Sequence, residues 1–293
     1  MAEYAAEIVA TPTGGTFPDR DAVPAGDAVP TGDTLPTGDE GDSEFKRAEE
    51  ADKSAFPMDV RMALQPVVDG SNGMIVLHEA LVRAPNGKSA APVMRQLTPF
   101  NRRAFDQKCQ RTTLDLVARL KLERPVMINI LPDAIEDPDR DLETLAWLAD
   151  DLDIAPEHIV LEINEASTQA GIAHLKRICR NSRRMGMKSA IDGFGAGMGG
   201  LSRLAALRPS FLKLDPSLVR GLGGDNRRRA IVASVVGMAL DLGAEVIGAS
   251  VETETEAAAL SDCGVDLLQG NLVAEPCLES AATEADLALP RAE

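Results

Sequence analysis

Lys188-Ser189-Ala190-Ile191-Asp192-Gly193-Phe194-Gly195-Ala196-Gly197 decides how the rest of the chain is read. A short apolar run ends in a carboxylate, and a glycine-rich loop follows at once. A carboxylate at the end of a buried strand, with pliable backbone behind it, suits a metal or phosphate site at the mouth of a barrel.

Outward from this stretch the text alternates. Short β-type runs at 63–69, 74–83, 126–131, 159–165, 188–194, 211–215, 245–251 and 267–271 read as eight strands. Most are unbroken apolar runs, as strands buried on both faces require. Gly70-Ser71-Asn72-Gly73 joins the first two in a tight turn and predicts a hairpin. Helical text lies between the later strands, over 99–120, 140–151, 168–185, 200–207, 225–242 and 254–263. Within 225–242, Ile231, Val235, Met238 and Leu242 fall at three- and four-residue steps and are expected to face the core. Repeated strand–helix units predict an α/β protein, a (β/α)8 TIM-like barrel with one hairpin-paired antiparallel strand. An open doubly wound sheet is the alternative, but no Gly-x-Gly-x-x-Gly strand–turn–helix fingerprint opens the first unit.

Composition narrows the classes. Of 293 residues, 44% are hydrophobic but only 3% aromatic, so aliphatic packing carries the core. No apolar run nears the roughly 20 residues needed to cross a bilayer, and the amino terminus shows no basic segment leading into an apolar one. Cys109, Cys179, Cys263 and Cys277 are widely spaced, without a Cys-x-x-Cys pair, which argues against zinc or disulfides and makes a cytoplasmic location the expectation. The net charge is −16, and residues 1–57 supply −9 of it through thirteen acids against four bases. No basic stripe could neutralise nucleic-acid phosphates, so a nucleic-acid polymer is not the expected partner, whereas a small anionic ligand is compatible. Residues 1–57 also repeat a hexad beginning at Asp21, Asp27 and Asp33, each copy holding a proline and a glycine, and predict a disordered acidic tail. The barrel domain is expected over 58–285, with a short tail at 286–293.

Chemistry in a barrel collects at the carboxyl ends of the strands. Glu79 and Arg83 lie at the end of the second strand, Asn129 in the third, Glu162 and Glu165 in the fourth, and Asp192 in the fifth. Lys213 and Asp215 share one face of the sixth, Glu252 follows the seventh, and Gln269 lies in the eighth. Taken singly, each has a structural reading as a surface acid, a loop amide or an ion pair. Together, carboxylates, an amide and a lysine converging on one mouth are an expensive way to build a core. They suit a hard cation with a base or charge stabiliser beside it. His78, His158 and His174 have no metal-ligand spacing and read as structural or exposed, with His78 turned away from Glu79 by strand alternation.

In this order the residues resemble the EAL domain family, whose active members hydrolyse cyclic di-GMP to the linear dinucleotide. The resemblance covers about residues 61–280. It is carried by Gln65-Pro66, His78-Glu79-Ala80-Leu81-Val82-Arg83, Ile128-Asn129-Ile130, Glu162-Ile163-Asn164-Glu165, Lys213-Leu214-Asp215, Val251-Glu252-Thr253 and Gln269-Gly270-Asn271-Leu272. It implies two divalent cations, Mg²⁺ or Mn²⁺, with Glu79, Asn129, Glu162 and Asp192 as ligands, Lys213 on the attacking water and Gln269 in the water–metal network. It also implies that cyclic di-GMP contacts Gln65, Glu79, Leu81, Arg83, Asp215 and Glu252, and that Glu165 supports the loop after Asp192. Active members carry two adjacent aspartates where this chain has Asp192-Gly193, and Glu-Gly-Val-Glu where it has Ala249-Ser250-Val251-Glu252. Expected metal ligands are therefore missing at Gly193 and Ala249, and the cation is expected to be weakly bound or absent. The expectation is a degenerate member that binds cyclic di-GMP as a receptor, with little or no hydrolysis. A nucleotide-independent protein-interaction module and a slow metal-dependent phosphodiesterase are the alternatives. A protein partner in a signalling pathway and a homodimer are further expectations.

Overall fold

The computed structural model describes residues 55–164, 168–197 and 200–288. The expectations for the acidic tail before residue 55, for Glu165 and for residues 289–293 lie outside the described residues.

The hairpin forms as expected from β1 (Arg61–Asp69) and β2 (Met74–Arg83), and the Asp69 carboxylate accepts from Ser71 and Asn72 to close its turn. The strands continue as β3 (Val126–Ile130), β4 (Ile159–Asn164), β5 (Lys188–Phe194), β6 (Phe211–Leu214), β7 (Glu245–Gly248) and β8 (Leu267–Leu268). The connecting helices are α1 (Arg102–Leu120), α2 (Pro138–Asp151), α3 (Ile172–Arg184), α4 (Gly200–Leu207), α5 (Asn226–Asp241) and α6 (Glu254–Asp262). Strands β2 to β8 pair in parallel in chain order, and β1 closes the ring antiparallel to both β2 and β8. A two-residue strand, β9 (Cys277–Leu278), adds to β1. This is the predicted barrel with its one reversed strand.

Local chemistry starts the helices where they are needed. Asp137 and Asp225 cap α2 and α5 by accepting from backbone N–H groups of the first turn, and Thr253 and Glu256 form a reciprocal capping box on α6. One predicted face is corrected. The buried stripe of α5 is Val232, Val235 and Ala239, while Ile231 is 53% and Leu242 43% exposed. The run Ile231-Val232-Ala233-Ser234-Val235-Val236 has apolar groups on both sides of the helix, so periodicity alone does not choose the phase; packing against β7 does. Strands β7 and β8 also stop short of the predicted ends; just past β7, Ser250 turns the chain into the left-handed region at φ 59°.

The barrel interior is layered. Val67, Leu77, Met127, Val160, Ala190, Phe211, Ile247 and Leu267, one from each strand, pack together as an apolar plug. A larger apolar cluster fills the space around it, between strands and helices. Side chains alternate along a strand, so the next inward layer lies two residues nearer the mouth. That layer is Gln65, Glu79, Asn129, Glu162, Asp192, Lys213, Ala249 and Gln269, with β1 counted backwards because it runs the other way.

Candidate ligand site at the barrel mouth

The second layer is one hydrogen-bonded network. Lys213 Nζ donates to Glu162 Oε1 at 2.6 Å and to Glu79 Oε2 at 2.9 Å, and lies 3.7 Å from Asp192 Oδ1. Gln269 Nε2 donates to Glu79 Oε2 at 2.7 Å, and Asn129 Nδ2 to Glu79 Oε1 at 3.1 Å. Asn164 Nδ2 donates to Asp192 Oδ2 at 2.9 Å. Sequence reasoning misses Asn164, although its even spacing from Glu162 places it on the same strand face. Glu79, Glu162 and Lys213 are fully buried.

Three carboxylates surround one ammonium, and the titration of Glu79, Glu162 and Lys213 follows from that. Burial opposes the ionisation of Glu79, but Lys213, Gln269 and Asn129 outweigh it and hold the carboxyl below its ordinary range. Burial and the neighbouring Glu79 push Glu162 well up, with Lys213 only partly offsetting them. Burial works against the charge on Lys213 too, yet Glu162, Glu79 and Asp192 together keep it protonated. Glu162 Oε2 is buried and has no hydrogen-bond partner among the described residues.

Above the network opens a cavity of about 1330 Å³, lined among others by Gln65, Leu81, Arg83, Asp215 and Glu252. That exceeds the roughly 300–1,000 Å³ of ordinary small-ligand pockets and leaves room for a dinucleotide. Arg83 is half-buried and donates to the Val82 carbonyl; burial pushes its pKa down and Glu79 resists the shift. Among the described residues, no carboxylate lies within ion-pair distance of it. Asp215 caps the short helix Pro216–Val219, Glu252 stands 3.6 Å from Arg220, and Gln65 donates to the Ala274 carbonyl. The structure thus gathers Gln65, Glu79, Leu81, Arg83, Asn129, Asp192, Lys213, Asp215, Glu252 and Gln269 around one opening, with Glu162 beneath them. His78 points elsewhere, its Nε2 3.4 Å from the Ala282 carbonyl.

One corner differs. Ala249 is the only apolar member of the second layer, and Gly193 beside Asp192 brings no donor. Gly193 has φ +74°, and the nearest atom to a Cβ built there is Asn164 Nδ2 at 4.0 Å, so the space for a side chain is open. Gly270 is different: a Cβ would meet the Val251 backbone at 2.2 Å, which is why that position holds glycine.

The EAL domain description matches residues 55–276. The chain belongs to the EAL domain family. The Escherichia coli (strain K12) blue light- and temperature-regulated antirepressor BluF is 25% identical over 218 residues, 73% of this chain and 53% of BluF. The crystal structure of a standalone versatile EAL protein from Vibrio cholerae O395, in its c-di-GMP bound form, superposes with a TM-score of 0.74 at 34% identity, covering 78% of this chain and 97% of that one. Klebsiella pneumoniae BlrP1 in a manganese/cy-diGMP complex gives a TM-score of 0.72 at 31% identity, over 77% of this chain and 58% of BlrP1. The same protein with FMN, cyclic diGMP and no metal ions gives 0.67 at 27% identity, over 78% and 56%. This EAL chain spans about half or less of the first curated relatives it matches. Among its described residues, no helix is long and apolar enough to cross a membrane.

Proposed function

We propose that this EAL barrel is a cyclic di-GMP receptor with little or no hydrolysis of its ligand. The observation that carries the reading is the uneven mouth: the nucleotide-facing side chains surround an open cavity, while Gly193 and Ala249 contribute no metal donors.

The donor set fits one hard cation better than two. Glu79, Asn129, Glu162 and Asp192 are the groups that would hold Mg²⁺ or Mn²⁺, and Glu162 Oε2 has no hydrogen-bond partner among the described residues to give up. Such a cation, when bound, supplies charge to a phosphate oxygen and acidifies a water. With Lys213 seated among these acids, no three His, Cys, Asp or Glu side chains of the described residues are arranged to close around a metal. Lys213 already offsets one carboxylate, and burial and Glu79 push the Glu162 carboxyl well up, so little negative charge remains to hold a second divalent ion. Arg83, with no carboxylate of the described residues within ion-pair distance, supplies a guanidinium fork for phosphate oxygens without any metal. The BlrP1 form that holds cyclic diGMP with no metal ions supports binding of this kind.

The test is isothermal titration of cyclic di-GMP in EDTA. Heat of binding that Arg83→Ala abolishes is the expected result; no heat at high protein concentration ends the reading. A second reading is favoured by the apolar strip of exposed Leu201 and Ile231 beside half-buried Met238 and by the antirepressor BluF: the barrel acts as a docking surface for another protein. Its mark is a partner captured equally well by the wild type and by Arg83→Ala. A slow Mn²⁺-dependent phosphodiesterase is the third reading, shown by turnover that Glu79→Ala removes.

A further inference from the structure

The cavity wall holds a titratable group that the receptor reading does not use. Asp106, on α1, lines the cavity together with Phe105 and Cys109 and is only 4% exposed. Its Oδ1 accepts the Leu131 backbone N–H at 2.8 Å, and its Oδ2 accepts Gln110 Nε2 at 2.7 Å. Leu131 is the first residue past β3 and stands two residues beyond Asn129, whose amide reaches Glu79. The carboxylate therefore fastens the end of a site-bearing strand to the helix that walls the pocket.

Building on the receptor reading, we propose that Asp106 is a positioning residue for cyclic di-GMP, holding the end of β3 and the Phe105–Leu131 wall in the binding shape while it is ionised. Burial pushes this carboxyl up from 3.8 to about 7; the Leu131 bond resists, Asp141 adds to the push, and Gln110 resists. The charged neighbours are few. Asp141, from α2, is itself held by Arg103 at 2.5 and 3.2 Å, and the Cys109 thiol is pushed up by burial and by Asp106. No cation among the described residues pairs with Asp106.

Both oxygens already accept from N–H donors. A proton on Oδ2 is accommodated once Gln110 turns its amide to accept it, but the Leu131 N–H then faces an uncharged acceptor and its bond loses its charge assistance. The tie to the strand end is then weakened as pH falls through 7. Stability runs the other way. A carboxyl raised in the folded state takes up a proton on folding between about pH 4 and 7, so the stability it contributes is lost as pH rises across that window.

The experiment is titration of the full chain with cyclic di-GMP in EDTA from pH 6 to 8, for wild type, Asp106→Asn and Asp106→Ala. Wild-type affinity is expected to fall about tenfold from pH 8 to pH 6, the limit for one proton bound one unit below its pKa. An asparagine is the neutral isostere of the protonated acid and gives Leu131 an uncharged acceptor, so Asp106→Asn should bind about tenfold more weakly than the wild type at pH 8, like the wild type at pH 6, and show no pH step. Asp106→Ala should bind about tenfold more weakly at pH 8, also without a step. A flat wild-type profile, a step that survives in Asp106→Asn, or wild-type binding by Asp106→Ala overturns the role of Asp106 and leaves the receptor reading standing. Absence of binding in all three removes the receptor reading and the positioning role with it. Hydrogen exchange at the Leu131 amide separates the two failures: protection relative to the intrinsic exchange rate that falls below pH 7 in the wild type alone shows that the tie exists without serving this ligand.

Discussion

Two neighbouring layers of the barrel interior, two residues apart on every strand, are built on opposite principles. The plug of Val67, Leu77, Met127, Val160, Ala190, Phe211, Ile247 and Leu267 needs no partner chemistry and loses little from small changes of shape. The layer above it buries three carboxylates and an ammonium, and is tolerable only while every charge keeps its partner. A rise of about 6.6 Å along the strands separates the two. Stability rests on the lower layer and ligand chemistry on the upper, so substitutions that look alike in sequence should behave differently in each.

The largest expected effect breaks that contrast at one strand. Lys213→Met fills the same space without charge and leaves Glu79 and Glu162 facing each other unpaired, at a cost of about 3–5 kcal/mol. Ile247→Val, in the plug, should cost only about 1 kcal/mol. Urea denaturation of the two variants decides the matter; equal midpoints would mean that the upper layer does not depend on its ammonium. A drop of this size also argues for measuring ligand binding on Lys213→Met only at temperatures where it stays folded.

Next in size is the gain from completing the upper layer. Gly193→Asp/Ala249→Glu restores two carboxylates, and the space at Gly193 is open, although φ +74° is a conformation that only short polar side chains tolerate well. On the receptor reading, hydrolysis in Mn²⁺ should rise about a thousandfold, equivalent to about 4 kcal/mol of barrier. Linear dinucleotide resolved by chromatography is the readout. Equal turnover in the wild type and the double variant would mean that the missing acids do not limit the chemistry.

The lower layer was far easier to read from sequence than the upper. Continuous apolar runs and the Gly70–Gly73 turn announce eight strands and a hairpin, because a strand buried on both faces has little freedom of composition. Membership of the upper layer was legible in order but not in arrangement. Lys213 was recognisable as a site residue, yet only the folded barrel shows it bridging Glu79 and Glu162 from strands far apart in the chain. Asn164 was hidden between two glutamates that drew the attention, and its bond to Asp192 depends on the register of β4 against β5. Asp106 lay in helical text and offered no signal at all, since its importance comes from a backbone N–H twenty-five residues away. The phase of α5 failed for a related reason: with apolar groups on two faces, the choice belongs to the partner surface.

The smallest effect concerns the corner where the upper layer is broken. Ser250 follows Ala249 and holds φ 59°, a left-handed conformation that costs a side-chain-bearing residue about 1–2 kcal/mol. The turn survives because its neighbours fix it: Val251 N–H donates to the Gln269 carbonyl, and Gly270 lies against the Val251 backbone too closely for any side chain. The backbone of the corner therefore keeps a shape suited to glycine, while the side chains on it no longer supply a carboxylate. Ser250→Gly should relieve the strain and stabilise the barrel by about 1 kcal/mol, less the extra freedom glycine gains in the unfolded chain. A rise in the urea midpoint with unchanged cyclic di-GMP affinity would place the strain in the scaffold alone. A rise accompanied by weaker binding would mean that the Ser250 hydroxyl, which lines the cavity, has taken over a contact to the ligand in the corner that Ala249 gave up.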